Sequence, residues 1–237
     1  MAAGVAMLAV ALGMRFIDRA PPAVVYASAE TLREVALDDG TRLQLDVDTE
    51  LAVRYGERSR NVELRHGRVL FDVAHDATRP FRVDLGESRL TVLGTRFQAA
   101  RGADRVSVTL DSGALQLDSR LDTAVRSERL SPGEQISYVR AAPSAWHRSS
   151  VDSAAAIAWS RGRLVFRATP LAEAVREVNR YASPKLHLAD DSLAGLQVSG
   201  NFIAGDSALV AETWAATLPL RAQMRDGQIE LRPATLR

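Results

Sequence analysis

Two rhythms divide this chain. From Thr31 to Val139, apolar and polar residues alternate in short runs: TRLQLDV at 41–47, RVLFDVA at 68–74, RLTVLG at 89–94, VSVTL at 106–110 and EQISYV at 134–139. Each run is bounded by Gly, Asp or Pro. A period of two between turn residues is the signature of half-buried β-strands, and no sustained helical period interrupts it. After Trp159 the rhythm changes. Leu164, Val165 and Phe166 form a short apolar run, and then Leu171, Ala174, Val175, Val178 and Ala182 recur at the spacing of one buried helical stripe, with Glu173, Arg176, Glu177 and Arg180 on the outer face. Thr169 is placed to cap that helix with Pro170 at its first position, and Ser183-Pro184 ends it. A strand at KLHLADD, another at LQVSGNFIAGD and a helix at SALVAETWAATL follow, the last capped by Asp206 and stopped by Pro219. The chain closes on LRAQM and QIEL around Arg225-Asp226-Gly227, a hairpin signal. The tail therefore reads β-α-β-β-α-β-β.

A second pattern lies inside the alternating region. An apolar residue three positions ahead of a glycine recurs as LDDG, LRHG, VDLG, LDSG and LSPG, placing Gly40, Gly67, Gly86, Gly113 and Gly133 at intervals of 27, 19, 27 and 20. Each copy delivers a strand, a tight turn that needs positive φ, and a returning strand. Units of this size suit either stacked coils or an antiparallel sandwich. The fold class is thus mainly β: a β-solenoid-like or β-sandwich domain over 31–150, followed by a small α+β module over 151–237.

The N-terminus differs from both. Ala2 to Met14 is unbroken apolar residue or glycine, but thirteen helical residues reach only about 20 Å against a hydrocarbon core of roughly 30 Å. Residues 1–17 are read as part of a transmembrane helix, with a signal peptide or a buried helix as alternatives, and the Pro/Ala/Ser-rich residues 18–30 as a tether.

Composition narrows the chemistry. The formal charge is +1 with both signs interspersed, so no phosphate-tracking stripe and no nucleic-acid partner is expected. The absence of cysteine excludes disulfides and thiolate catalysis. His66, His75, His147 and His187 fall in no metal-binding spacing, and no nucleophile elbow, Walker lysine or dinucleotide fingerprint occurs. Asp38-Asp39 and Asp190-Asp191 sit beside turns, where Asp accepts local backbone bonds. Trp146, Trp159 and Trp214 are isolated in sequence, which suits core or domain-junction positions. No enzyme, metal or cofactor is expected.

Taken in order, LDDGTRLQLDVDTEL, RNVELRHGRVLFDVAHDATRPFRVD, LTVLGTRF, W-x2-GRLVF-x2-TPLAEAVREVNRY and VSGNF resemble the FecR family of cell-surface signalling regulators. The resemblance implies a single-pass inner-membrane protein with its bulk in the periplasm. It further implies a β-solenoid-like domain followed by a module similar to the short N-terminal domain of secretins and TonB-dependent transporters. The implied partners are the periplasmic signalling domain of a TonB-dependent outer-membrane transporter, of the iron-uptake type, and an extracytoplasmic-function sigma factor. The sigma factor would be reached only through a cytoplasmic segment N-terminal to the apolar stretch, which these residues do not include.

On that reading the tail is a protein-recognition module. Arg163, Leu164, Val165 and Phe166, together with Val198, Ser199, Gly200, Asn201 and Phe202, are candidate edge strands, with Arg180 and Tyr181 as anchors. Phe166, Val198 and Phe202 serve equally well as core. Gly40, Gly67, Gly113 and Gly133, Arg79-Pro80-Phe81, and Gly94, Thr95 and Phe97 are read as fold-defining turns and core contacts. The competing reading is a secreted or envelope-associated β-rich protein that binds a ligand or glycan through Trp146 and Trp159 without catalysis.

Overall fold

The structure, a computed structural model, describes residues 22–120 and 125–234. Thirteen strands come first. They are β1 (Val24–Ser28), β2 (Arg33–Ala36), β3 (Arg42–Leu45), β4 (Thr49–Tyr55), β5 (Arg60–Asp72), β6 (Phe81–Asp84), β7 (Ser88–Val92), β8 (Arg96–Arg101), β9 (Arg105–Ser112), β10 (Leu115–Arg120), β11 (Val125–Leu130), β12 (Glu134–Val139) and β13 (His147–Ser150). They make one sheet curled back on itself into two layers that share β5. The first half of β5 lies between β4 and β6 in the layer β1-β4-β5-β6-β7-β10-β11. Its second half lies between β3 and β8 in the layer β2-β3-β5-β8-β9-β12-β13.

The change of layer happens at Gly67. A bulge displaces the β4–β5 register just before it, and Gly67 takes φ +94°. A Cβ there would come within 2.6 Å of the Asp48 carbonyl oxygen, so only glycine lets the strand turn so close to its neighbour. The other four glycines of the repeat also have positive φ, at 85°, 87°, 90° and 82°. The repeat is therefore a repeat of corners. Of the two arrangements its spacing left open, strand pairing decides between them: stacked coils pair in parallel, whereas here every pair of this sheet except β5 with β6 is antiparallel. Alternation supplies the core. Leu51, Val62, Leu64, Val83, Leu90 and Leu117 of the first layer face Leu43, Leu45, Val69, Phe71, Phe97 and Leu110 of the second in a single cluster. Phe71 and Phe97 stack at 4.8 Å.

The expected tether is corrected in part. Residues 24–28 pair with β4 as an edge strand, so the ordered β-region starts ahead of Thr31. The apolar residues 1–17 lie outside the described residues. Among those described, no helix is long and apolar enough to cross a membrane.

The tail follows its predicted order. After α1 (Ser153–Ala156) and a 3-10 turn at Ala158–Arg161 come β14 (Arg163–Pro170), α2 (Leu171–Tyr181), β15 (Leu186–Leu188), β16 (Gln197–Ile203), α3 (Ser207–Thr217), β17 (Leu220–Arg225) and β18 (Gln228–Pro233). They form two small sheets, β14-β16 and β15-β18-β17. Leu171, Ala174, Val175 and Val178 of α2 and Val210, Ala211 and Trp214 of α3 pack into a core separate from the first. Asp206 caps α3 through Leu209 N at 3.0 Å. Asp226 and Gly227, at φ 49° and 77°, make the closing two-residue turn. Thr169 does not cap α2: its hydroxyl accepts from Arg167 N, and the strand runs on to Pro170. Ala168, at φ 47°, bulges β14 there and engages Thr169 in the bulge instead.

Candidate functional site

The tail module lies on the outer face of the second layer. Along β5, Val69 and Phe71 point into the β-core, which sends Arg68 and Leu70 outward. Leu70 is nonetheless only 6% exposed, because it belongs to the core of the tail module. Beside it on β8, Gln98 Oε1 accepts the indole N–H of the buried Trp159 at 2.5 Å.

A charged cluster closes the seam around Asp46, just after β3. Its carboxylate is fully buried. Oδ1 accepts from Val47 N at 2.8 Å and from the Tyr181 hydroxyl at 2.8 Å, and Oδ2 accepts from Arg68 Nε and Arg180 Nη2, each at 2.7 Å. Arg68 then reaches the other way: its Nη2 donates to Glu177 Oε1 at 2.7 Å and to the Tyr181 hydroxyl, and its guanidinium lies 4.6 Å from the centre of the Trp159 ring. Two acids and two guanidiniums balance. Glu177, Arg180 and Tyr181 stand at i, i+3 and i+4 on α2, hence on one face, while its apolar stripe faces the module's own core. The helix therefore works on two sides at once.

Electrostatics fixes the proton positions. Burial above all pushes the Tyr181 hydroxyl well above its usual range, opposed by Arg68 and reinforced by the charges of Asp46 and Glu177, so it remains a donor to Asp46. Burial works against the charge on Arg68, but Glu177 and Asp46 outweigh it and hold the guanidinium protonated. Such a cluster is satisfied only as a whole. Removing one member strands a charge in a desolvated site.

The sequence-predicted residues separate into three groups. Arg180 and Tyr181 lie in this seam, bonded within the chain. Leu164, Phe166, Val198 and Phe202 are core, at 3%, 5%, 2% and 8% exposure, with the rings of Phe166, Phe202 and Trp214 6.0–6.2 Å apart, so their side chains offer no surface to a partner. Gly200 lies against the Phe202 ring, where a Cβ would come within 2.7 Å. Arg163, Val165, Ser199 and Asn201 project from the other face of the β14–β16 pair, Arg163 Nε donating to Asn201 Oδ1 at 3.0 Å and Ser199 Oγ accepting from Ala168 N at 2.9 Å. The motif residues are structural in placement. Gly94 and Gly113 cross beside Thr95, whose hydroxyl donates to Ala114 O at 2.8 Å. Arg79 O and Pro80 O accept from Arg60, next to the buried Phe81.

Arg60 and Asp39 form an ion pair that turn chemistry alone did not foretell. They meet at 2.7 Å with side chains 0% and 5% exposed. Burial raises the Asp39 carboxyl, but hydrogen bonds from Arg60, Thr41 and Tyr55 outweigh it and hold it below the usual carboxylate value. Asp190 does what its position predicted, accepting from Ser192 N at 2.8 Å. Trp146 lies half-buried under the Arg126 guanidinium at 4.7 Å, and Trp159 is buried, so neither presents an open ring to a sugar. Among the described residues no three His, Cys, Asp or Glu are grouped to hold a metal.

Comparison with known proteins agrees with this architecture. Residues 23–116 match the family model described as FecR protein. Two crystal structures of a candidate anti-sigma factor from Parabacteroides distasonis ATCC 8503 are similar in fold. The one at 2.50 Å has a TM-score of 0.75 and 21% identity over 90% of this chain and 99% of that one; the one at 1.65 Å has 0.74 and 21% over 88% and 98%. No curated protein matches the sequence.

Proposed function

Residues 23–116 of this chain are a FecR domain, and on that premise we propose that the chain is the sensing part of a FecR-like signal transducer. In this reading the bulk of the protein is periplasmic and anchored in the inner membrane by its N-terminal apolar segment. The tail module receives the signalling domain of an outer-membrane TonB-dependent transporter, and the FecR domain passes the transporter's state toward an extracytoplasmic-function sigma factor, in the service of iron uptake. The chain itself performs no chemistry.

One observation supports this division of labour above the others. The module carries an open strand pair, β14–β16, on one side and is joined to the FecR domain through the Asp46 cluster on another. A partner that adds a strand to β14 or β16, or that reads Arg163, Ser199 and Asn201, would act on a body held to the FecR domain by Leu70, the Gln98–Trp159 hydrogen bond and a desolvated charge cluster. In this reading the contact acts as a two-state element. It is either completely made or costly, and a small displacement of α2 becomes an all-or-none change at the FecR domain.

The test is capture of the isolated signalling domains of TonB-dependent transporters from the same genome by the full chain, with Asn201→Arg as the variant that crowds the exposed strand face. Capture of one such domain, weakened at least tenfold by Asn201→Arg with circular dichroism unchanged, is the expected result. If no signalling domain is captured under any condition, the transporter reading fails, while the FecR fold stands.

A further inference from the structure

The seam is closed on the Asp46 side and open on the other. There, a cleft of about 320 Å³ lies between Arg96 of β8, Arg161 of the 3-10 turn and Arg163 of β14, over an apolar floor that includes Ile157 and Val165. We propose that this cleft binds a small molecule through a carboxylate or phosphate group held by these three arginines.

Charge accounting separates this cleft from the rest of the seam. Around Asp46, two guanidiniums meet two carboxylates at 2.7 Å. In the cleft, three guanidiniums meet one lining carboxylate, Asp111, which stands 3.8 Å from Arg96 Nη1 and already accepts the Ser153 hydroxyl at 2.8 Å. The Arg96 Nε is buried and has no hydrogen-bond partner. Arg161 pairs with no acid among the described residues, and Arg163 donates only to the neutral Asn201 amide. Glu34 and Asp72 line a smaller cavity on the far side of Arg96 and Arg161 and form no ion pair with either. A buried donor without a partner is costly, and folded proteins rarely retain one unless something else completes it.

The geometry points to the class of ligand. Planar guanidinium forks match carboxylate and phosphate oxygens two at a time. The volume is that of a small-molecule site, and the apolar floor suits a short carbon skeleton behind the anionic group. The arginines come from both sides of the seam, Arg96 from the FecR domain and the other two from the tail. A bound oxyanion therefore contacts both bodies and favours the docked arrangement over any in which they separate. This holds whether or not a transporter is the module's partner.

The test titrates the full chain with inorganic phosphate and, separately, with succinate at constant ionic strength, following heat and the midpoint of thermal unfolding against a sodium chloride control. Saturable binding of at least one probe is expected, weakened at least tenfold by Arg161→Gln, an exposed side chain whose loss leaves the fold intact, and unchanged by Arg82→Gln on the opposite layer. Phosphate alone binding marks a phosphorylated ligand, succinate alone a carboxylate, and both an oxyanion site indifferent to the carrier. No saturation beyond the chloride control, or equal affinity in Arg161→Gln, overturns the proposal.

Discussion

The two outer faces of the FecR domain are laid down by the same alternation and meet different surroundings. On the first layer, Arg54, Asn61, Glu63, Arg82 and Arg89 project from β4 to β7 around a shallow polar depression of about 420 Å³. On the second layer, Arg68, Leu70 and Gln98 project from β5 and β8 and are covered by the tail module. Both faces carry arginine beside acid. What distinguishes the covered one is a single buried leucine and a carboxylate with every lone pair directed at a donor. Charge alone does not make a docking face; apolar contact and complete pairing do.

The comparison breaks most readily at Asp46. Asp46→Ala leaves Arg180 without an acid and Arg68 with Glu177 alone, two guanidiniums against one carboxylate in a largely desolvated seam, and a loss of about 3–5 kcal/mol is expected. Chemical denaturation measures the total, and hydrogen exchange locates it: α2 should lose protection before β7 and β10 do. Equal loosening of both layers would mean that Asp46 supports the β-domain rather than the docking.

Leu70→Ala comes next. The side chain points away from the β-core into that of the module, so its truncation should cost about 2–3 kcal/mol by thermal or chemical unfolding, the lower part of the range for buried leucines because a seam can settle. Tyr181→Phe is milder. It removes the hydroxyl between Asp46 and Arg68 but keeps the ring, and the other bonds of Asp46 remain, so about 1 kcal/mol is expected. A cost near zero would show that the hydroxyl is dispensable to the cluster.

Much of this was legible in the chain. The glycine interval marked the corners, and the change from period two to the helical stripe at Leu171 marked the module and its element order. Pairing was not legible, because a corner glycine serves stacked coils and antiparallel layers alike. The seam left one trace. Val69-Leu70-Phe71 is apolar on both strand faces, whereas RNVEL, FRVD and SRLTV on the other layer alternate cleanly and its run Leu51-Ala52-Val53 turns only an alanine outward; a strand with a large apolar side chain on each face has to be covered on both. Asp46 and Arg68 left none: an acid and an arginine at outward positions read as solvated until the tail, more than a hundred residues later in sequence, supplies Glu177, Arg180 and Tyr181. Asp39 was hidden similarly, since its turn bonds to Thr41 are local but its pair with Arg60 depends on how β5 crosses the sandwich. Among the edge-strand candidates, strand alternation sends Leu164, Phe166, Val198 and Phe202 inward, the core alternative that the sequence left open for the last three, while Arg163, Ser199 and Asn201 face out.

The smallest predicted effect tests the other half of the comparison. Arg82 sits on β6 directly across from Asn61 and Thr91, on the face that nothing among the described residues covers. It is half-buried and lines the shallow polar depression, so Arg82→Ala should change stability by less than about 0.5 kcal/mol in chemical denaturation. The same truncation on the second layer, Arg68→Ala, would leave Glu177 without its cation and Asp46 with Arg180 alone. The ratio of the two costs is thus a direct reading of what coverage does to one residue type on two equivalent strand positions. A loss above 1 kcal/mol for Arg82→Ala would show that the first face is also a contact surface within the protein, and the asymmetry between the layers would be gone.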